Sequence, residues 1–290
     1  MNLKKNDRLY EWLLVVAMLF WGGGWSALKV LTIIPMDVLV FWRFFLMSIS
    51  FLPIIYFFSK PISHSKISWG FILSSTTLNL LFMISAFFGV KYGLAGAGSV
   101  IITSLSPLLT FLLMALLFAQ TISKHQVFGL LIGVIGTFII LDLSDPSIFV
   151  ESSNSYFLAC ALIWAGVTIL AQKSSKHIHP IHYSFFISLV ATASSFLYAF
   201  NSDITIVFEQ DSTFWFALIY LAVFGQTIAT TIFFMASAKL GSAKTSSFMF
   251  LVPIFALLSA SIFLDEEMQF HIIVGGAITM FGIYFINKKD

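Results

Sequence analysis

The fold is decided by two stretches, LAGAGSVIITSLSPLLTFLLMALLFAQTISKHQVFGLLIGVIGTFIIL at 94–141 and LGSAKTSSFMFLVPIFALLSASIFLDEEMQFHIIVGGAITMFGIYFIN at 240–287. They align without a gap, and ten of their 48 positions are identical, including Pro107 with Pro253. Each stretch contains two apolar runs joined by a short polar segment. About 20 apolar residues cross the hydrocarbon core of a bilayer as a helix. Each stretch therefore predicts two transmembrane helices, and the repetition predicts two related halves.

Similar apolar runs fill the rest of the 290-residue chain, which is 59% hydrophobic and only 10% charged. A soluble domain carries roughly a quarter charged residues, so this composition excludes a water-soluble protein. In hydrocarbon every backbone N–H and C=O must pair internally, so the sequence predicts an all-α, polytopic membrane protein. The ten predicted transmembrane helices are 11–30, 37–58, 68–89, 94–118, 125–141, 155–172, 181–200, 213–237, 243–264 and 270–287.

Other landmarks extend the repeat over the whole chain, with Trp21 falling on Trp164, Pro35 on Pro180 and Trp69 on Trp215. We therefore divide the chain into a five-helix repeat at 1–142, an external linker at 143–154 and a second five-helix repeat at 155–290. Because five is odd, the second half enters from the opposite face, which makes an inverted repeat. Secondary transporters commonly have this architecture, with the substrate site near the middle of the membrane. We expect helices 1–4 and 6–9 to surround that site, braced by helices 5 and 10.

The distribution of charge predicts the orientation of the chain. With a cytoplasmic N-terminus, twelve of the 15 Lys and Arg residues lie on the cytoplasmic side, and the opposite side collects most of the acidic residues. Positive charges are concentrated in cytoplasmic loops of membrane proteins. Both termini are therefore predicted to be cytoplasmic.

Several motifs in this order resemble the drug/metabolite transporter superfamily, specifically its ten-helix EamA-type exporters. They are Phe20-Trp21-Gly22 followed by Lys29, Phe41-Trp42-Arg43-Phe44, Ser104-Leu105-Ser106-Pro107-Leu108, Gly129/Gly133/Gly136, and Trp164, Pro253 and Gly275/Gly282 in the second half. The resemblance implies a bacterial inner (plasma) membrane protein that exports an amino acid or similar small metabolite. The chain departs from the family pattern at Gln120, where an acidic residue is usual, and at Ser188, which replaces an arginine.

Arg43 is the only charge well inside a predicted span. An intramembrane charge is a functional candidate by default because its insertion is costly, so we assign Arg43 to the substrate site. The alternative is that its long side chain snorkels toward Asp37 or caps helix carbonyls. Lys29, near the same face, either helps Arg43 attract an anionic group or snorkels to the interface.

The other predicted substrate-binding residues are polar, aromatic or methionine side chains at mid-membrane positions. Trp21 and Trp164 hold equivalent mid-membrane positions and either line the pathway or pack. The helix-face candidates are Asn79, Met83 and Phe87, Ser99 and Thr103, Gln226 and Thr230, and Thr245 and Met249. Amides at this depth either hold helices together or line a polar cavity, and hydroxyls can satisfy their own helix backbone instead.

Two prolines and a glycine face are candidates for motion and packing. Pro107 and Pro253 each interrupt the hydrogen-bond ladder of a helix, which permits a kink and a gate. The small-residue face of Gly129 and Gly133 suits close packing, either between the halves or between subunits. The protein is expected to be a monomer or a weak homodimer.

Enzyme functions are disfavoured because the sequence has no HExxH, GxSxG or P-loop motif, so no catalytic residues are assigned. The expected partners are a small-molecule substrate and the lipid bilayer, with no cofactor, no metal and no nucleic acid. His177, His179 and His182 share a short basic loop without carboxylates, so a metal site there is disfavoured. The open alternatives are a multidrug, nucleoside or lipid-linked-sugar transporter of the same fold, or a non-transporting membrane receptor or assembly subunit.

Overall fold

A computed structural model describes residues 2–58, 66–93, 95–119, 121–140, 153–264 and 270–287, which form helices joined by short turns, and no strands. We number the helices α1 to α10 in chain order. They are α1 Asn2–Leu31, α2 Met36–Phe58, α3 Lys66–Tyr92, α4 Ala95–Phe118, α5 Lys124–Ile140, α6 Ser153–Ser174, α7 Pro180–Tyr198, α8 Ser212–Leu240, α9 242–264 and α10 Phe270–Asn287.

Two of these helices change type along their length. In α8 the segments are α-helical Ser212–Ile219, π-helical Tyr220–Thr230 and α-helical Thr231–Leu240. In α9 they are α-helical Ser242–Ser247, a 3₁₀ turn at Phe248–Leu251 and α-helical Val252–Leu264. A short 3₁₀ helix, Ile204–Glu209, precedes α8.

The prediction of an all-α membrane protein is confirmed. Within the described residues, seven helices are long and apolar enough to cross a membrane: α1 to α4 and α6 to α8. Shorter apolar stretches lie at Lys124–Ile139 in α5 and Val274–Ile286 in α10. The count of ten crossings therefore stays a prediction. Helix α1 begins at Asn2, before the span predicted from residue 11, because polar and charged residues continue the helix ahead of its apolar part.

Polar contacts between helices fix which helix ends lie together. Glu11 and Lys244, in the first parts of α1 and α9, form an ion pair of 2.6 Å. Gln172, at the end of α6, accepts hydrogen bonds from the backbone N–H and the hydroxyl of Ser242 at 3.0 and 2.6 Å. We call this side of the molecule the Lys244 end. Because α1 begins near this end and α6 finishes there, the first helices of the two halves run in opposite directions.

The opposite side, which we call the Asp37 end, is tied by a second set of contacts. Asp37, at the start of α2, accepts a hydrogen bond from the Ser202 hydroxyl after α7. The indole of Trp42 donates to the Ile204 carbonyl at 2.8 Å. Lys29, at the end of α1, donates to the Val90 carbonyl near the end of α3 at 3.0 Å. Its ammonium group therefore meets the carbonyl end of a helix, where a positive charge is favourable.

The contacts between helices follow the symmetry of the two halves: a contact made by a helix of one half has a counterpart made by the equivalent helix of the other. The first helix of each half packs against the third and fourth helices of the other: α1 against α8 and α9, and α6 against α3 and α4. Helices α2 and α7 pack together, as do α5 and α10. The halves therefore interlock, and the centre of the molecule is lined by both.

Helices α5 and α10 approach each other through glycines. A Cβ added at Gly282 would lie 2.6 Å from the Gly133 nitrogen and 2.7 Å from the Gly129 carbonyl oxygen. One added at Gly136 would lie 2.5 Å from the Thr279 hydroxyl. The glycine face of α5 therefore lies between the two halves, which is one of the two positions expected from the sequence. The oligomeric state stays a prediction.

Some expectations concern residues outside the described ranges. The linker predicted at 143–154 falls there up to residue 152, and α6 begins at Ser153. Gln120, one of the two departures from the family pattern, is also outside, as are the charges at 59–65 and 288–290 that entered the orientation argument. The domain boundaries and the orientation stay predictions.

Candidate functional site: a cavity between the halves

A cavity of about 110 Å³ lies at the centre of the molecule. Its wall is formed by residues of α1 to α4 and α6 to α9, and α5 and α10 contribute none of the described lining residues. This is the arrangement that the inverted repeat predicts. It places residues distant in sequence, such as Arg43 in α2 and Gln226 in α8, on one surface.

Nine of the twelve predicted substrate-binding residues line this cavity: Trp21, Arg43, Asn79, Met83, Thr103, Trp164, Gln226, Thr230 and Met249. Phe87, Ser99 and Thr245 are buried but are not part of the wall. For Phe87 the reason is helix geometry, because eight residues after Asn79 the helix face has rotated by about 80°. Its ring packs instead in an apolar cluster with residues such as Leu28 and Val90. Contact of the nine residues with a substrate stays a prediction.

Arg43 is buried in the cavity wall, with 8% of its surface exposed. Its Nε donates to Oε1 of Gln226 at 3.2 Å, and Gln226 is only 6% exposed. Asp37 instead accepts a hydrogen bond from Ser202, so the snorkelling alternative does not describe this arginine. Within the described ranges no carboxylate forms an ion pair with Arg43. A buried charge without a counter-charge is costly, which marks this part of the wall as a candidate binding site.

The π-helical stretch of α8 shapes the wall next to Gln226. Its wider turn places hydroxyls over carbonyls five residues back, so Thr230 donates to the Gly225 carbonyl at 3.2 Å and Thr227 to the Ala222 carbonyl at 3.0 Å. The Trp21 indole donates to the same Gly225 carbonyl at 2.9 Å. Single π-turns occur frequently at functional sites. The sequence carries no signal that would have predicted this one.

Aromatic rings close one side of the cavity. Trp21 and Trp164 meet edge to face with their centroids 5.2 Å apart, and Phe82 and Phe233 pack against them. The two tryptophans are in direct contact in this conformation, so the alternative that they pack together holds here, although both also line the cavity. Trp164 Nε1 is buried with no hydrogen-bond partner among the described residues.

The remaining polar candidates make hydrogen bonds to backbone carbonyls of their own helices. Asn79 Nδ2 donates to the Ser75 carbonyl at 2.8 Å, and the Thr103 hydroxyl donates to the Ser99 carbonyl at 2.7 Å. Asn79 Oδ1 stays available on the wall. Lys29 lies on the exposed surface and donates to Val90, so it does not join Arg43 in the cavity.

The two candidate gating prolines differ in their surroundings. Pro253 is the second residue of the α-helical segment Val252–Leu264, directly after the 3₁₀ turn of α9. Proline is tolerated in the first turn of a helix because the missing N–H has no helical acceptor there. Pro107 lies inside α4, which continues to Phe118 without a change of helix type. Neither proline lines the cavity, and a gating role stays a prediction for both.

The histidine loop has local structural roles. His177 stacks on Phe71 with centroids 5.6 Å apart, and the His179 side chain accepts a hydrogen bond from the Ile181 N–H at the start of α7. No group of three metal-ligating side chains occurs in the part of the chain that the structure describes.

Several wall residues were missed by the sequence reasoning, among them Leu28, Met47, Phe82, Ser184 and Phe234. Most are apolar, and an apolar residue on a helix that is apolar all round carries no periodic signal of the face it occupies. Only the partner helices decide whether such a residue faces lipid, core or cavity.

Comparison with known proteins agrees with this fold. The profile of the EamA-like transporter family matches residues 8–142 and 152–288. A chloroplastic WAT1-related protein of Arabidopsis thaliana is 26% identical over 97% of this chain and 70% of its own length. A probable amino-acid metabolite efflux pump of Escherichia coli is 24% identical over 97% of this chain and 95% of its own length.

A solved structure superposes on the same fold with a TM-score of 0.77, covering 97% of this chain and 98% of the other at 17% identity. At that identity the likeness shows the fold alone. The family profile, by contrast, covers both halves of the sequence on either side of the central cavity. This chain belongs to the EamA-like transporter family.

Proposed function

We propose that this protein is a secondary transporter that exports an amino acid or a similar small polar or aromatic metabolite by alternating access. The observation that carries the proposal is the central cavity, where a buried arginine, two amides and several aromatic rings from both halves meet. Polar groups that fix the orientation of a ligand, set in a largely apolar wall, are typical of small-molecule sites. We assign the protein no catalytic residue and no cofactor.

The size of the cavity supports a small solute. An apolar cavity of about 150 Å³ holds one benzene molecule, and this cavity measures about 110 Å³. A single ring or a short side chain is therefore the scale of cargo that fits with modest adjustment of the wall. A lipid-linked sugar or a large drug would require the helices to separate much further.

Alternating access is supported by the polar contacts that hold the Lys244 end together. At the Lys244 end the ion pair of Glu11 with Lys244 holds α1 to α9, and the hydroxyls of Ser75 and Tyr183 join α3 to α7 by a buried hydrogen bond. Opening this end requires these contacts to break. The π-helical stretch of α8 and the 3₁₀ turn of α9 are points where a helix can bend.

The direction and location of transport follow from the predicted orientation. We propose that the protein lies in the bacterial inner membrane with both termini in the cytoplasm, as a monomer or weak homodimer, and that the Lys244 end is cytoplasmic. The name of the Escherichia coli relative, a probable amino-acid metabolite efflux pump, supports export. No Asp or Glu is among the residues described on the cavity wall, which supports facilitated transport over a carboxylate proton relay.

The test is counterflow of radiolabelled amino acids, nucleosides and amphipathic amines into proteoliposomes. We expect saturable uptake of at least one amino acid or small aromatic solute. Trp21→Ala should lower its rate at least tenfold because this side chain lines the cavity. Trp12→Ala is the matched control, since Trp12 lies on the same helix with 72% of its surface exposed.

Two outcomes would count against the proposal. Uptake restricted to large amines or nucleosides would favour a different cargo. Failure of every solute to move would favour a receptor or assembly subunit with the same fold.

A further inference from the structure

The hydrogen-bonding groups left free on the cavity wall are mostly donors. Gln226 Oε1 accepts from Arg43, as it must because a guanidinium only donates, so the Gln226 amide nitrogen keeps its two N–H groups. The Nη groups of Arg43 make no hydrogen bond among the described residues. The nearby Gly225 carbonyl is already occupied by Trp21 and Thr230.

Two further polar atoms of wall residues are buried without hydrogen-bond partners within the described ranges: Trp164 Nε1, which can only donate, and Ser184 Oγ, which can donate or accept. Buried polar groups are rarely left unpaired without a reason. Among the described wall residues, Asn79 Oδ1 is the one side-chain amide oxygen that accepts no hydrogen bond, and the hydroxyl oxygens of Thr103 and Thr230 can also accept. The charged group on this wall is nevertheless a donor, Arg43, and the N–H groups of the Gln226 amide lie beside it.

The net charge of the wall also favours an anionic ligand. Arg43 is its one ionised side chain among the described lining residues, and no Asp or Glu balances it. A monoanion would neutralise this site. A zwitterion would bring an ammonium group with three donors to a wall that has no carboxylate among its described residues, and a cation would be repelled by Arg43.

We propose that the solute carried in this cavity is a small monoanion, a carboxylate with an apolar or aromatic body. The carboxylate binds between the Arg43 guanidinium and the Gln226 amide nitrogen, and the body lies against the rings of Trp21 and Trp164. This inference rests on the proposed transport function and narrows its substrate class from small metabolites in general to anions.

A direct consequence is that transport moves net charge. Arg43 stays in the protein, so each cycle carries one negative charge across the membrane. With 100 mV, negative inside, an anion would be driven outward to a concentration ratio of about 50-fold. No proton-coupling carboxylate is needed for export of this kind.

The first experiment compares three solutes that share a phenyl ring and side chain: 3-phenylpropanoate, L-phenylalanine and phenethylamine. Binding to the purified protein is followed by tryptophan fluorescence at pH 7.5, where their net charges are −1, 0 and +1. We expect 3-phenylpropanoate to bind at least tenfold more tightly than phenylalanine, and phenethylamine to bind most weakly. Arg43→Gln should abolish this order, whereas Arg43→Lys should keep it with weaker binding.

Lys91→Gln is the matched control. Lys91 is an exposed cation of α3 near the Asp37 end, with its ammonium 5.6 Å from the Phe87 ring, and it does not line the cavity. Its replacement removes the same charge, so the order of affinities should be unchanged.

The second experiment records charge movement by proteoliposomes adsorbed on an electrode when 3-phenylpropanoate is applied. The protonated acid can cross a bilayer unaided but carries no charge, so the current reports the protein. We expect a saturable current that Arg43→Gln removes.

Phenylalanine binding as tightly as 3-phenylpropanoate, a preference that survives Arg43→Gln, or transport without current would each overturn the inference. Saturable counterflow of zwitterions would then leave the proposed transport function standing. If no solute binds or moves, both proposals fail together.

Discussion

Replacing Gly282 with alanine should destabilise the protein, although alanine normally stabilises a helix. The new Cβ would lie 2.6 Å from the Gly133 nitrogen and 2.7 Å from the Gly129 oxygen. Ordinary van der Waals contact needs at least 3.4 Å, and both neighbours are backbone atoms that cannot rotate away. Helices α5 and α10 must therefore separate by several tenths of an ångström. Overpacking of this kind costs about 1–3 kcal/mol, against a gain of about 0.5–1 kcal/mol from the helix propensity of alanine.

Gly70→Ala is the control, because Gly70 lies in α3 and a Cβ there meets nothing within 4 Å. It should raise the free energy of unfolding by about 0.5–1 kcal/mol. The assay is reversible unfolding of both variants in mixed detergent micelles, followed by circular dichroism. Equal changes of the same sign in the two variants would refute the contact between α5 and α10.

Three further predictions concern a hydrogen bond beside the cavity, an ion pair at the Lys244 end and a capping carboxylate at the Asp37 end. Trp21→Phe keeps a ring but removes the hydrogen bond to the Gly225 carbonyl, so the free energy of unfolding should fall by about 0.5–1.5 kcal/mol; an unchanged value would count against this bond. A double-mutant cycle of Glu11→Gln and Lys244→Met should give a coupling of about 1 kcal/mol or less, since both groups are partly exposed; a larger coupling would contradict this exposure. Thr205 donates hydrogen bonds from its hydroxyl and its backbone N–H to the Asp203 carboxylate, and they lower the pKa of Asp203. This carboxylate therefore stabilises the fold above about pH 4. The stability difference between wild type and Asp203→Ala should therefore shrink as the pH falls through this range, and a difference that grows would contradict the capping role.

Much of the fold could be predicted because bilayer thickness constrains the sequence strongly. The apolar runs had to be helices, and most of their boundaries agree with the structure to within a few residues. The repeat in the sequence predicted the antiparallel course of α1 and α6, which the contacts of Glu11 and Gln172 with α9 confirm. The π-helical stretch of α8 could not be predicted, because the two helix types need the same kind of apolar sequence.

The candidate site was partly predictable for a different reason. Buried polar residues such as Arg43 and Gln226 stand out in an apolar helix, and the structure places them in contact on the cavity wall. The sequence could not say that they bond to each other, since they are 183 residues apart. Apolar wall residues such as Phe82 and Phe234 were missed because their helices show no polar face to orient them.

The central claim is that solute binds in the cavity between the two halves, and cysteine protection tests it most directly. In a Cys160→Ala background, which removes the one native cysteine, Thr230→Cys places a thiol on the cavity wall, at a residue with 6% of its surface exposed. Asn201→Cys places another at an exposed position after α7 as a control. The account predicts that a transported solute slows alkylation at position 230 and leaves position 201 unaffected. Alkylation at 230 that proceeds at the same rate with saturating solute would contradict it.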